Sequence, residues 1–190
     1  MPSPDHGTFR FLGERVRYAG SFIKLVTATF LDPAGYTFER DLIRHTGAVC
    51  VVAIEDDGSV IMLRQYRGAL DATVLEIPAG KLDVPGEDVE DAARRELLEE
   101  AGCVASSFTG LGSFYNSPGF TDEFTTCFLA EGLTHLERAH HGIEEEHMTV
   151  ETMSFEKLWK LQARGELTDG KSLLALFLAA RVLAARSASS

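Results

Sequence analysis

The 190-residue chain is acidic, with 29 Asp and Glu against 18 Lys and Arg and a formal net charge of −11, which argues against the basic face that nucleic-acid binding requires. Apolar residues make up 45% and charged residues 25%, the composition of a globular domain able to fold without staples. Three cysteines, Cys50, Cys103 and Cys127, include no C-x-x-C pair, so buried thiols in a reducing compartment are expected, not disulfides or a zinc site.

The first ten residues carry no apolar leader, and the most apolar run, 173–180, is too short to span a bilayer, so a soluble cytoplasmic protein without membrane contact is expected. Residues 16–18, 22–30 and 37–44 read as strands, the last two β-branched and aromatic and joined by the turn sequence Asp32-Pro33-Ala34-Gly35. They form a β-element over residues 1–45 too thin to stand alone, and 46–190 form the main domain. Residues 48–54 are a continuous apolar run, the mark of a central strand, and Asp57-Gly58 turns it into a strand over 60–64. A strand over 73–77 leads to Pro78-Ala79-Gly80. A helix follows and stops at Gly102, then strands over 108–115, 125–130 and 148–153. Ser154 is placed to cap a helix over 155–164, and Thr168 or Asp169 a last helix from 171 to about 186.

The helix before Gly102 carries the chemistry. Glu96, Glu99 and Glu100 are spaced three and four apart, which places them on one face about 5–6 Å from each other. Two such charges repel by roughly 3 kcal/mol at an effective dielectric near 20. A face of this kind is relieved by water or by a divalent cation, and hard oxygen donors select Mg²⁺, Mn²⁺ or Ca²⁺. Ala93, Leu97 and Ala101 make an apolar stripe beside the acids. Arg95 has Asp91 and Glu99 within one turn as partners, and Gly102 is suited to end the helix in the left-handed conformation.

Residues 80–103, GKLDVPGEDVEDAARRELLEEAGC, resemble the Nudix box, G-x(5)-E-x(7)-R-E-U-x-E-E-x-G-U with U aliphatic. Gly80, Glu87, Arg95-Glu96-Leu97, Glu99-Glu100 and Gly102 supply its fixed positions, with Cys103 at the last. Six residues instead of five separate Gly80 from Glu87, and the extra one falls in Val84-Pro85-Gly86, where it is expected to lengthen a turn and leave the helix phase intact. The resemblance implies a Nudix-type α/β/α sandwich with a mixed sheet and a small N-terminal β-element. It implies that Glu96, Glu99 and Glu100, with the Ala79 carbonyl, bind Mg²⁺ or Mn²⁺, that Arg95 orients the glutamates, and that Glu87 is structural.

RQYRGA (64–69), LEIPAGKLD (75–83) and SPGFTDE (117–123) are similar to the ADP-ribose pyrophosphatase branch of that family, and Pro118 lies fifteen positions past Cys103, as in the branch. This implies Mg²⁺-dependent hydrolysis of ADP-ribose to AMP and ribose 5-phosphate. The alternatives are another nucleoside diphosphate sugar such as GDP-mannose, or a noncatalytic nucleotide-ligand sensor, which is expected to lose box acids that this chain keeps. Arg64 and Arg67 are expected on the substrate phosphates, and Glu76, Pro118, Gly119 and Glu123 on the substrate, Glu123 at the terminal ribose. A loop glutamate in the branch takes the water's proton or adds a metal ligand. Glu144, Glu145 and Glu146 all qualify here, and Glu146, nearest the following strand, is preferred. The N-terminal element of the branch implies a homodimer, since its sheet is too small to cover Phe22, Phe30 and Phe38.

Two further patterns point elsewhere. Residues 165–172 spell G-x-x-x-x-G-K-S, the P-loop string, but follow a helical pattern and carry Glu166 and Asp169, so no phosphate site is expected. His135, His140, His141 and His147 are irregularly spaced and are expected in a solvated loop without zinc.

Overall fold

The computed structural model describes residues 8–137 and 147–188. Its contacts divide the chain into two units, one built from residues 1–46 with 115–123, the other from 47–114 with 124–190. Residues 115–123 thus group with the N-terminal strands, although the sequence reading counts them in the main domain.

The first unit is an antiparallel meander of β1 (Arg10–Ala19), β2 (Ile23–Leu31) and β3 (Thr37–His45). Asp32 closes the second turn by accepting the amides of Ala34 and Tyr36 at 2.9 and 2.8 Å. β1 is ten residues long where the pattern pointed to 16–18, because two register irregularities, between Phe11 and Gly13 and between Val16 and Tyr18, break its alternation. Phe9, Phe11, Phe30 and Phe38 make a chain of ring contacts with centroids 5.4–6.1 Å apart. Arg15 pairs with Glu39, and Arg17 and Asp41 both bond the Thr27 hydroxyl. Residues 115–123 join β3 through Ile43 N to Phe120 O at 2.8 Å and His45 N to the Asp122 carboxylate at 2.8 Å.

The second unit is an α/β/α sandwich. β4 (Ala48–Ala53) is the central strand, flanked by β7 (Ala79–Lys81) antiparallel and β9 (Phe124–His135) parallel, with β8 (Cys103–Tyr115) beyond β9. β5 (Val60–Arg67) lies between β6 (Ala72–Glu76) and β10 (Thr149–Met153) in a second, antiparallel sheet. The apolar run of β4 is continuous because both of its faces are covered. Val49, Val51 and Ala53 pack with Ala92, Ala93, Leu97 and Ala101 of α1 (Val89–Ala101). Cys50 and Val52 pack with Leu158 and Leu161 of α2 (Phe155–Ala163) and with Ala175, Leu176 and Ala179 of α3 (Gly170–Ser187).

Ser154 caps α2, and Asp169, not Thr168, caps α3. β8 starts directly after Gly102, five residues before the predicted strand, because the left-handed glycine (φ 65°) turns the chain straight from α1 into the sheet. The three-residue β7 was not predicted, since Ala-Gly-Lys has no strand signature of its own and forms by pairing with Ala48–Cys50. Among the described residues no helix is long and apolar enough to cross a membrane.

Candidate active site

The site is built on α1 and the segment that precedes it. Asp88 caps the helix by accepting the Glu90 amide at 2.8 Å, and Glu90 and Asp91 put negative charge in the first turn, which suits the helix dipole. The extra residue of the box sits in a turn where Glu87 N bonds Val84 O at 3.3 Å, and α1 runs unbroken after it. Ala92, Ala93, Leu97 and Ala101 bury the apolar side. The acids are therefore held on the flank of an anchored helix, and two of them, Glu96 and Glu100, are themselves buried at 9% and 5% exposure.

Gly80 is required by close approach. A Cβ there would lie 1.9 Å from Cδ of Glu96 and 2.1–2.2 Å from its oxygens, so the carboxylate rests directly against the glycine backbone. Glu100 is fixed by the neighbouring residue, accepting the Ala79 amide at 2.8 Å. Arg95 binds Glu87 in a two-pronged pair at 2.9 and 3.0 Å and turns its remaining nitrogen to Glu96 at 2.7 Å and Glu99 at 3.1 Å. The sequence reading had offered Asp91 as a partner; the structure uses Glu87, eight residues back, which the turn before the helix brings within reach. Burial raises the Glu96 pKa, Arg95 opposes the rise, and the charges of Glu99 and Asp83 add to it. Arg95 is held charged above its ordinary range, chiefly by its bond to Glu87.

Three carboxylates, Glu87, Glu96 and Glu99, thus share one guanidinium, and a fourth, Glu100, lies one turn from Glu96 on the same helix. Oxygen donors in negative excess and partly stripped of water suit a hard divalent cation. They do not converge, however: among the described residues no three His, Cys, Asp or Glu side chains are arranged to hold a metal ion. Glu96 and Glu99 are drawn onto one nitrogen of Arg95 and Glu100 onto Ala79 N. The donor set fits the ion in chemistry and in position on the helix, short of a closed cluster.

The two arginines expected on phosphate are both engaged. Arg64 pairs across the strand with Glu151, both partly exposed. Arg67 binds Glu76 through Nε and Nη2, each at 2.7 Å. Glu76 is 2% exposed and also accepts from Lys171 Nζ. Burial by itself would raise the Glu76 pKa, but Arg67 and Lys171 outweigh it and hold the carboxyl below its ordinary range. Lys171 bonds Asp169 at 2.9 Å, and Ser172, fully buried, accepts the Ile77 amide at 2.9 Å. In the sequence Lys171 and Ser172 stand at the start of the last helix and at the end of a string that is no P-loop. The structure agrees that the string is no P-loop, since Asp169 caps the helix start that a phosphate would need. No local signal could have exposed their contact with residues 76–77, ninety-five positions away.

Pro118, Gly119 and Glu123 belong to the first unit. There Pro118 lines an open recess of about 200 Å³ with Leu42, Arg44, Tyr115 and Phe120. Gly119 sits in the turn closed by Phe120 N to Ser117 O, and Glu123 accepts from Asn116 N through its backbone carbonyl. Glu144, Glu145 and Glu146, like His140 and His141, lie outside the described residues. His147 lies exposed in a turn as expected, whereas His135, also solvent-exposed, ends β9, where Nδ1 meets Cys103 Sγ at 3.3 Å and Nε2 meets Glu55 at 3.0 Å. A thiol, imidazole and carboxylate in that order resemble a nucleophilic triad, but Cys103 has no exposed surface and burial pushes its thiol up to about 11, so it packs the core.

Comparison with known proteins identifies the family. The NUDIX domain family model matches residues 44–176, and the chain belongs to that family. It is 40% identical over 159 residues to an ADP-ribose pyrophosphatase of Bacillus subtilis, covering 84% of this chain and 85% of the relative. Over the same shares it is 35% identical to a protein of Bacillus methanolicus named methanol dehydrogenase activator. The fold matches a crystal structure described as an ADP compounds hydrolase with a TM-score of 0.83 and 24% identity, over 97% of this chain and 98% of the other.

Proposed function

We propose that this protein hydrolyses the diphosphate bond of ADP-ribose, adding water to give AMP and ribose 5-phosphate, with Mg²⁺ as the working ion. The observation that carries the chemistry is the seating of Glu96 on Gly80 and of Glu100 on Ala79, two buried acids in a cluster with one guanidinium. Support for the substrate comes from the 40% identity to the ADP-ribose pyrophosphatase. Glu96, Glu99 and Glu100 with the Ala79 carbonyl would hold the divalent ion, which polarises the diphosphate and acidifies water when bound. Arg95 sets the direction of the Glu96 and Glu99 carboxylates by hydrogen bonds from one nitrogen. Arg64 and Arg67 neutralise nonbridging oxygens, Glu76, Pro118 and Gly119 belong to the substrate-binding set, and Glu123 takes the terminal ribose. Glu146, with Glu145 and Glu144 as alternatives, takes the proton of the attacking water.

A second reading rests on the relative named methanol dehydrogenase activator, whose name describes action on a protein. Hydrolysis comes first because every acid of the box is present in this chain. Residues 1–45 are proposed to pair two copies into a homodimer in the cytoplasm and to complete the neighbour's adenosine site. Phe9, Phe11, Val16, Tyr18 and Phe22 are 41–63% exposed in the single chain, apolar area that a second copy would cover. Light scattering giving a monomer near 20.8 kDa with full activity overturns the shared site.

The deciding experiment is kcat/KM for ADP-ribose, GDP-mannose, ATP and diadenosine polyphosphates with Mg²⁺, products resolved by chromatography. ADP-ribose is expected first. A tenfold preference for GDP-mannose, about 1.4 kcal/mol of transition-state binding, moves the substrate and leaves the chemistry. No turnover of any member, or turnover unchanged by excess chelator, overturns the proposal.

A further inference from the structure

Two polar side chains at the start of α3 meet one short stretch at the end of β6, and a third, Asp169, holds both of them. Lys171 Nζ donates to Glu76, Ser172 Oγ accepts from Ile77 N at 2.9 Å, and Asp169 bonds both Lys171 Nζ and Ser172 N at 2.9 Å. Glu76 is thereby gripped from two sides, by Lys171 and by the Nε and Nη2 edge of Arg67. Arg67 is the most exposed of the four, at 39% of its side chain, against 3% for Glu76, 17% for Lys171 and 18% for Asp169. A lone carboxylate could swing with so open a guanidinium. Fixed by Lys171, it fixes the plane of the guanidinium as well, because a two-pronged pair keeps both groups coplanar. The pair uses Nε and Nη2, so among the described residues Nη1 is the edge that remains for an incoming oxyanion.

We infer that Lys171, held by Asp169, is a positioning residue that acts through Glu76 to aim Arg67 at a diphosphate oxygen. The inference rests on Arg67 as a diphosphate contact, and it does not depend on which sugar the diphosphate carries. Two carboxylates balance two cations in the group, so removing Lys171 leaves the buried Glu76 charge to Arg67 alone and lets the pair tilt.

The test is a double-mutant cycle on the full chain with ADP as probe, its Kd measured by calorimetry with Mg²⁺ present, beside kcat and KM for ADP-ribose and thermal melts. K171M is expected to weaken ADP at least fivefold and to raise KM more than it lowers kcat. K171R should restore ADP binding to within twofold of wild type. In the R67A background K171M should change ADP binding less than twofold. Equal losses in both backgrounds, wild-type affinity in K171M, or no ADP binding by the wild type each overturn the inference. Should K171M fail to fold, D169N keeps a helix-capping acceptor, loosens Lys171 and is read by the same cycle. A coupled cycle in a protein that leaves ADP-ribose intact sustains the positioning role and refutes only the substrate.

Discussion

Glu96 and Glu76 are both buried, at 9% and 2% exposure, and their pKa values move in opposite directions. Burial pushes each upward, so burial does not separate them. The partners do. Glu96 shares one guanidinium with Glu87 and Glu99 and lies beside Glu100, an excess of three negative charges. Glu76 shares Arg67 and Lys171 with Asp169, and Glu100 acts on Arg67 only through its charge, which leaves no excess among the bonded groups. A cluster balanced from within the chain needs no outside cation and holds its side chains in place. A cluster short of positive charge calls for a cation from outside, which is what binding chemistry requires.

The largest effect should come from lowering the charge of the unbalanced cluster. Glu99→Gln and Glu100→Gln are expected to cut turnover by roughly 100-fold or more. Glutamine at position 100 still offers an oxygen to Ala79 N, so folding stability should hold, and removing like-charge repulsion could raise it. Turnover and melting temperature are measured together. Wild-type turnover of both variants at saturating Mg²⁺ would erase the distinction between the clusters.

Next is Gly80→Ala, which leaves every charge in place. Its Cβ would meet Glu96 at 1.9 Å, and the side chain, the movable partner, must leave its seat. Turnover is expected to fall about tenfold, about 1.4 kcal/mol, with the fold retained by circular dichroism. Unchanged activity would show that the seat of Glu96 on the backbone has no part in the chemistry.

Much of this first cluster was legible in the sequence, because it is local. Glu87 to Glu100 lie within a turn and one helix, whose 3.6-residue period fixes who faces whom. The partner of Arg95, Glu87 where Asp91 was expected, was missed where the helix period ends and a turn decides. The two-sided burial of β4 was equally readable from its unbroken apolar run. The second cluster was not readable. Arg67, Glu76 and Lys171 come from β5, β6 and α3 and meet only after the sheet and the last helix have packed. Position 171 looks like a solvent lysine or a P-loop lysine until that packing is known.

For the balanced cluster the expected effect is on stability. The Glu76 pKa is depressed on folding, so its contribution is full above the ordinary value of 4.5 and disappears as pH falls through the lower folded value. Glu76→Gln should cost about 1 kcal/mol at pH 7, a modest figure because glutamine still accepts from Arg67 and both cations keep contact with water. Urea unfolding of both proteins should show a constant gap between pH 7 and 5 and a shrinking one below pH 4.5. A gap that widens on acidification would place Glu76 with Glu96, as an acid whose charge is disfavoured.

The smallest effect is expected at Arg64, whose pair with Glu151 belongs to neither cluster. Their side chains are 43% and 33% exposed, and exposed pairs contribute about 0–1 kcal/mol. Arg64 lies in the middle of β5, opposite Thr149 on one side and Leu75 on the other, so backbone pairing on both edges holds the strand without its side chain. Arg64→Ala should therefore move stability by less than about 0.5 kcal/mol in urea unfolding. If Arg64 meets a substrate phosphate equally in ground and transition states, KM for ADP-ribose rises severalfold and kcat stays. A fall in kcat with KM unchanged would mean that Arg64 acts only in the transition state. A stability loss above 1 kcal/mol would make the pair structural and add a third, exposed member to the comparison.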